Sequence, residues 1–317
     1  MEGTALVLGS NGQDGSYLVE TLLARGYSVV GAARQPQSRW VADPRFLHAQ
    51  LDLRDERALR ALLRESKPLR VFALAAVHGS AGYEYETDWR AAIDVNVSSI
   101  HTCLEYIRQE SIETRLFLAS SSKVFGPELR GDIDEEHPRK ASCLYSITKI
   151  AAEDALNYYR ERHNVWASIG YFFNHDSPRR PPDYFLPRLC EQLAAHLNKD
   201  RAPPSLETLD FWCDWGASAE FMRVTADLLE LERPADVIVA TGVTTYAGTL
   251  VDELSDLAGV EGPAWARSRH PAQRQGHRVL PPYRARTDKL RALVSPPESL
   301  SIDVARQILA ANFKSYI

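Results

Sequence analysis

Tyr145 and Lys149 lie four residues apart in the string YSITK, which puts them on one face of a helix, one turn apart. An ammonium beside a phenol favours the phenolate and so lowers the tyrosine pKa. Such a phenolate can take a proton from an alcohol as hydride leaves the same carbon. The preceding apolar run ends in Ala119-Ser120-Ser121-Ser122-Lys123, and a hydroxyl there, Ser121, can hydrogen-bond the same oxygen. Hydride chemistry needs a carrier, and Gly9-Ser10-Asn11-Gly12-Gln13-Asp14-Gly15 supplies a cradle for one. Its glycines let backbone amides approach a pyrophosphate at the positive end of a helix. The spacing is GxxGxxG, so Gly9, Asn11, Gly12, Gln13, Asp14 and Gly15 are the candidate cofactor residues of this loop.

These groups need elements to hold them. Thr4–Leu8 is a short apolar run leading into the glycine loop. Tyr17, Leu18, Leu22 and Leu23 follow at helical spacing up to Gly26. Further strands are expected at Ser28–Ala33, Phe46–Leu51, Arg70–Ala76, Arg115–Ser120, Val165–Phe173 and Asp236–Ala240. Amphipathic helices are expected near 55–65, 88–109, 143–162 and 217–230. The alternation predicts an α/β fold, a Rossmann-like doubly wound parallel sheet covered on both faces. After about residue 174 the pattern changes. Stretches 174–215 and 260–300 are rich in Pro and Arg without regular alternation, yet carry Phe211, Trp212, Trp215 and Tyr283, which free linkers seldom do. They predict a smaller C-terminal substrate-binding lobe. The expected division is 1–173 plus about 217–258 for the nucleotide-binding domain, and 174–216 plus about 259–317 for the lobe.

The second strand bears on the choice between NADP and NAD. An NAD enzyme usually ends that strand in an acid that holds the ribose hydroxyls. Here it runs Gly31-Ala32-Ala33-Arg34-Gln35, and Arg34 could pair with a 2′-phosphate. NADP is the expected cofactor, with NAD the alternative. Asp52 and Leu53 fit the adenine edge, although an aspartate there could equally start a helix. Ala75, at the end of the fourth strand, completes the cofactor set.

The bulk composition excludes other classes. With 37 Lys and Arg against 42 Asp and Glu, the net charge of −5 creates no field for nucleic acid or membrane. Cys103, Cys143, Cys190 and Cys213 form no CxxC pair and no zinc-finger spacing, so free buried thiols and no metal are expected. The N-terminus lacks a signal-peptide pattern, and no run of 18 apolar residues occurs. A cytoplasmic protein is the expectation.

The strings GSNGQDGSYL, SSSKVFG and YSITK, with Phe173-Asn174-His175-Asp176-Ser177-Pro178-Arg179-Arg180, resemble GDP-mannose 4,6-dehydratase, an extended short-chain dehydrogenase/reductase. Leu209-Asp210, Asp214-Trp215-Gly216 and Ala240-Thr241-Gly242-Val243-Thr244 are similar to its later signatures. The resemblance covers roughly residues 4–258. It implies a nucleotide-sugar substrate, oxidation at C4, loss of water across C5–C6, return of hydride to C6, and recycled NADP. It also implies that Ser121 matches the family's catalytic threonine, that Tyr145 and Lys149 match its tyrosine and lysine, and that Asn174 and Arg179 lie near the nucleotide diphosphate. Arginines are in any case the expected phosphate partners.

The largest departure is Lys123, where the family has a glutamate base. Lys123 could itself be the base, as similar lysine-bearing turns in CDP-glucose and UDP-N-acetylglucosamine dehydratases imply; that requires a neutral amine, favoured by burial and by neighbouring cations. Alternatively elimination is lost, leaving an epimerase or 4-keto reductase. Or Lys123 binds a substrate carboxylate or phosphate, as a decarboxylase or uronate epimerase would need. Trp212 and Cys213 replace basic residues before Asp214-Trp215-Gly216, and Arg188, Arg284 or Arg286 could compensate. Ser122 and His78 are further candidates to face the sugar, His78 being as readily a structural histidine. The family's Arg-rich tetramer loop looks shortened at 35–45. A homodimer through the helices near 88–109 and 143–162 is expected by analogy.

Overall fold

A computed structural model describes residues 3–80, 83–197, 209–257 and 282–312. The first half alternates as expected: β1 (Thr4–Leu8), α1 (Gln13–Ala24), β2 (Ser28–Ala33), β3 (Phe46–Gln50), α2 (Glu56–Ser66), β4 (Arg70–Ala73), α3 (Trp89–Ile93), α4 (Ser99–Glu110), β5 (Arg115–Ser121), β6 (Gly131–Ile133), α5 (Leu144–His163) and β7 (Ala167–Phe172). Then come β8 (Asn174–Asp176), α6 (Phe185–Leu197), β9 (Trp212–Cys213), β10 (Trp215–Ala217), α7 (Ser218–Leu228), β11 (Val237–Val239), β12 (Thr245–Tyr246), α8 (Ala247–Leu257), β13 (Tyr283–Ala285), α9 (Asp288–Leu293) and α10 (Ser301–Asn312).

Seven strands form the main sheet in the order β11-β7-β5-β4-β1-β2-β3, all parallel. The order reverses between β1 and β4, and α/β sheets bind ligands at the carboxyl ends of strands on either side of such a switch point. The strands read as unbroken apolar runs because both faces are covered. On one face Leu59, Leu63, Leu104, Ile107 and Leu156 pack against the sheet. On the other lie Leu18, Leu22, Phe221, Met222 and Leu290. The Asp55 side chain caps α2 by accepting from the Ala58 amide (2.9 Å), and Asn164 closes α5 in the left-handed region.

The expected helix 88–109 is interrupted. Asp94–Ser98 form a π-turn between α3 and α4. Its Asn96 side chain, fully buried, accepts from the Val77 amide (2.8 Å) and donates to the Val77 carbonyl (3.3 Å) and the Thr148 hydroxyl (2.9 Å). The wider turn thus ties the loop after β4 to α5, which periodicity alone does not reveal.

The Pro-rich region is more regular than the sequence pattern suggests. It contains β8, α6, β9 and β10, and α10 follows further on. A third core joins Leu186, Leu189, Leu193, Trp215, Leu250, Leu254, Val304 and Ile308. So α8, expected with the nucleotide-binding domain, packs inside the lobe. Leu290 of α9, expected with the lobe, packs on the sheet instead. Much of the expected irregular stretch 260–300 lies outside the described residues.

Candidate active site

Gly9 has φ +94°, and a Cβ on it would lie 3.0 Å from the Ala75 backbone. A Cβ on Gly15 would lie 2.1 Å from the Gly9 carbonyl oxygen. Only glycine lets this turn close, and it closes at the N-terminus of α1, whose N-cap Gly12 offers no side-chain acceptor to the first amides. The Ser10 hydroxyl, buried in the same turn, has no hydrogen-bond partner. Free helix amides, an orphaned hydroxyl and a cradle cleared of Cβ atoms fit a dinucleotide pyrophosphate.

Three of the loop's side chains are engaged within the protein. The Asn11 amide donates to the Gln37 carbonyl (2.8 Å) and its oxygen accepts from the Arg39 amide (3.0 Å), pinning the loop after β2. Gln13 accepts from Ser177 (2.8 Å), and Asp14 meets His175 (3.0 Å) and Ser218 (2.9 Å). Asp14 sits far below the ordinary carboxylate range: burial would raise it, but His175, together with Arg180 and Gln13, more than offsets that. His175 is raised in turn, Asp14 outweighing its burial. Arg34 is exposed at the end of β2. Asp52 is bonded to Arg54 (2.6 Å), and Leu53 is buried.

At the carboxyl end of β5 the candidate catalytic groups converge. Tyr145 and Lys149 are both buried on α5, with the Ser121 hydroxyl near the Tyr145 phenol. Lys149 donates to the Ala119 carbonyl (2.8 Å), with Nζ 5.6 Å from the Tyr145 ring centroid. Burial holds Lys149 down to about 8. The expected depression of Tyr145 is absent: burial pushes its phenol well above the usual range, and Ser121 and Arg180 only partly oppose this. Lys149 spends its proton on a carbonyl instead.

An aromatic box surrounds the phenol. The His78 ring meets Tyr145 edge-on at 4.6 Å between centroids, and its Nδ1 lies 3.2 Å from the Tyr184 hydroxyl. Tyr85 stacks on Tyr145 at 6.1 Å. Burial, then Arg180, Lys123 and Lys149, push His78 down to about 3, so it is a neutral imidazole at physiological pH. Arg180 lies over Tyr184 (3.6 Å) and pairs with Asp176 (3.2 Å), whose carboxyl burial pushes up to about 6.

The expected substrate residues divide. His78 joins the box, and Ser122 begins the turn beside Ser121. Asn174 is exposed on β8. Arg179 turns the other way, onto α1: it donates to Ser16 (2.9 Å) and Glu20 (2.6 Å) and lies over Tyr17 (4.0 Å). Its neighbour Arg180 is the one on the Tyr145 side, in a turn closed by its amide donating to the Ser177 carbonyl (3.0 Å), with its guanidinium held by Asp176 and Tyr184. Arg188 and Arg284 are exposed on α6 and β13, and neither hydrogen-bonds within the box. Lys123 is exposed at the turn after β5, so the burial invoked for a neutral amine is not present. Cys143, expected buried, is half-buried at the start of α5. Sequence reasoning missed Arg180, Tyr85, Tyr184 and Asn96.

A doubly wound sheet with a glycine loop at its switch point and a Ser–Tyr–Lys centre beyond β5 defines an extended short-chain dehydrogenase/reductase. Residues 6–294 match the family model for GDP-mannose 4,6 dehydratase, and the chain belongs to that family. It is 30% identical over 294 residues to GDP-mannose 4,6-dehydratase of Vibrio cholerae, covering 83% of this chain and 78% of that one. It is 31% identical over 264 residues to the enzyme of the same name from Sinorhizobium fredii, covering 78% and 74%. Its fold is similar to that of dTDP-glucose 4,6-dehydratase from Bacillus anthracis, solved in complex with NAD, with TM-score 0.78, 16% identity and coverage of 99% and 98%.

Proposed function

We propose that this enzyme is a nucleotide-sugar 4,6-dehydratase acting on a GDP-mannose-like substrate. The observation that carries the reading is the Ser121–Tyr145–Lys149 centre, beside a pyrophosphate loop, in a chain of the GDP-mannose 4,6-dehydratase family. Bound NADP would accept hydride from C4 and return it at C6. Ser121 orients the C4 hydroxyl, and Tyr145 takes its proton as a phenolate, which the Lys149 ammonium and the positive nicotinamide of bound NADP would stabilise against the effect of burial. Gly9, Gly12 and Gly15 clear the backbone for the pyrophosphate, and Ala75, Asp52 and Leu53 line the cofactor groove. Arg34, exposed where an NAD enzyme has an acid, supports NADP over NAD. His78 and Arg180 face the sugar, and Ser122, Asn174, Arg179, Arg188 and Arg284 are the remaining substrate candidates. The cofactor sits on the sheet side and the sugar against the lobe. The exposed Ile147 and Tyr158 on α5 support a homodimer through that helix. Four free cysteines support a cytoplasmic location.

Lys123, immediately after the Ser121–Ser122 hydroxyls, is the candidate base for the C5 proton. Its exposure in turn favours a second reading, an epimerase or 4-keto reductase in which no proton leaves C5. Turnover of Lys123→Ala decides. A dehydratase using this base loses on the order of 10²–10⁴ in kcat with little change in KM. Unchanged turnover removes Lys123 from the chemistry.

A further inference from the structure

Three consecutive residues at the end of β5 grip three successive turns of α5. The Ser121 hydroxyl lies near Tyr145, the Ala119 carbonyl accepts from Lys149, and Ser120 donates to Glu153. Glu153 stands four residues beyond Lys149, on the same helical face, and is almost wholly buried. Its other oxygen accepts from Arg139 Nε (3.3 Å). That guanidinium lies over Phe125 (4.8 Å) and Tyr171 (4.4 Å) and donates to the Glu135 and His137 carbonyls (3.0 and 2.7 Å). A carboxylate is costly to bury unless it is paired, and this one is paired on one side and hydrogen-bonded on the other.

We propose that Glu153 is a positioning residue for the reacting pair: it locks the third turn of α5 to β5 and supplies the negative charge that keeps Lys149 an ammonium. The role rests on the Tyr145–Lys149 reading of the site. Tyr145 and Glu153 face Lys149 from α5. His78 faces it from the loop after β4, and β5 contributes the Ala119 carbonyl and the Ser120 and Ser121 hydroxyls. Of these, Glu153 carries the charge that opposes the effect of burial on Lys149. Burial pushes the Glu153 carboxyl up, and Ser120, Arg139 and Lys149 pull it back down. Arg139, stacked on Phe125 just after the Ser121–Lys123 turn, couples this network to the loop that carries Lys123.

The test is an NMR titration of Lys149 in the full-length protein with isotope-labelled lysine, needing no substrate, alongside the pH profile of kcat. In Glu153→Gln, which keeps the shape and can still accept from Ser120, the Lys149 midpoint falls by about one pH unit. The alkaline limb of kcat moves down with it. An unmoved midpoint overturns the proposal. If Glu153→Gln does not fold, Glu153→Asp carries the test. Its carboxylate is one methylene further from Lys149 and lowers the midpoint by part of that step, and no lowering overturns the proposal. Failure of the dehydratase reading is distinguishable, because wild-type turnover would then be absent while the titration still reports on Glu153.

Discussion

At Lys149 the site holds an ammonium that burial has brought within reach of physiological pH. With its value near 8, the charged form dominates below that point and disappears above it. Catalysis that needs the cation beside Tyr145 therefore keeps full kcat below about pH 7 with respect to this group and declines as pH rises through 8. A stopped assay across that range checks the sign, and a rate that climbs through pH 8 to 9 would contradict the role. The Tyr145–Lys149 pair was legible in the sequence because helical spacing alone puts i and i+4 on one face. The choice between Arg179 and Arg180 was not. It depends on Glu20, Ser16 and Tyr17 of α1 capturing one guanidinium, and on Asp176 and Tyr184 holding the other. Glu153 carried a readable signal, a further step of four along the same face, but only its burial shows that it looks inward.

At the scale of elements, the turn between β1 and α1 makes the sharpest prediction. A methyl group on Gly15 would stand 2.1 Å from the Gly9 carbonyl, where neither backbone can yield. Gly15→Ala is expected to abolish measurable dinucleotide binding by calorimetry and to lower the melting temperature. Retained affinity would show that the cofactor does not use this turn. Glycines bracketed by an apolar run and an amphipathic helix made that turn legible. The π-turn at Asp94–Ser98 was not legible, since a five-residue widening leaves the hydrophobic period on both sides intact. The lobe's helices were obscured for a related reason. Prolines crowd the entrance to α6 at Pro181 and Pro182, while the apolar partners of α6 come from α8 and α10, far along the chain.

For the molecule as a whole, Asp214 joins the sheet to the lobe. Fully buried, it accepts from the Thr241 amide and hydroxyl (3.0 and 2.8 Å) and the Gly242 amide (2.8 Å), while its own amide donates to the Tyr283 hydroxyl (3.0 Å). Burial pushes its carboxyl up to about 6, outweighing those hydrogen bonds. A raised carboxyl binds its proton more tightly folded than unfolded. Its share of stability is thus fully present below about pH 4 and lost as pH rises through 6. Chemical denaturation from pH 4.5 to 7 should show this decline, and Asp214→Asn should flatten that component. The central claim, that one site oxidises, eliminates and reduces without net use of cofactor, is tested most directly with GDP-mannose deuterated at C4 and substoichiometric NADP. The account predicts a nucleotide sugar lighter by one water with the deuterium recovered at C6. A product of unchanged mass, or deuterium lost to the cofactor pool, would contradict it.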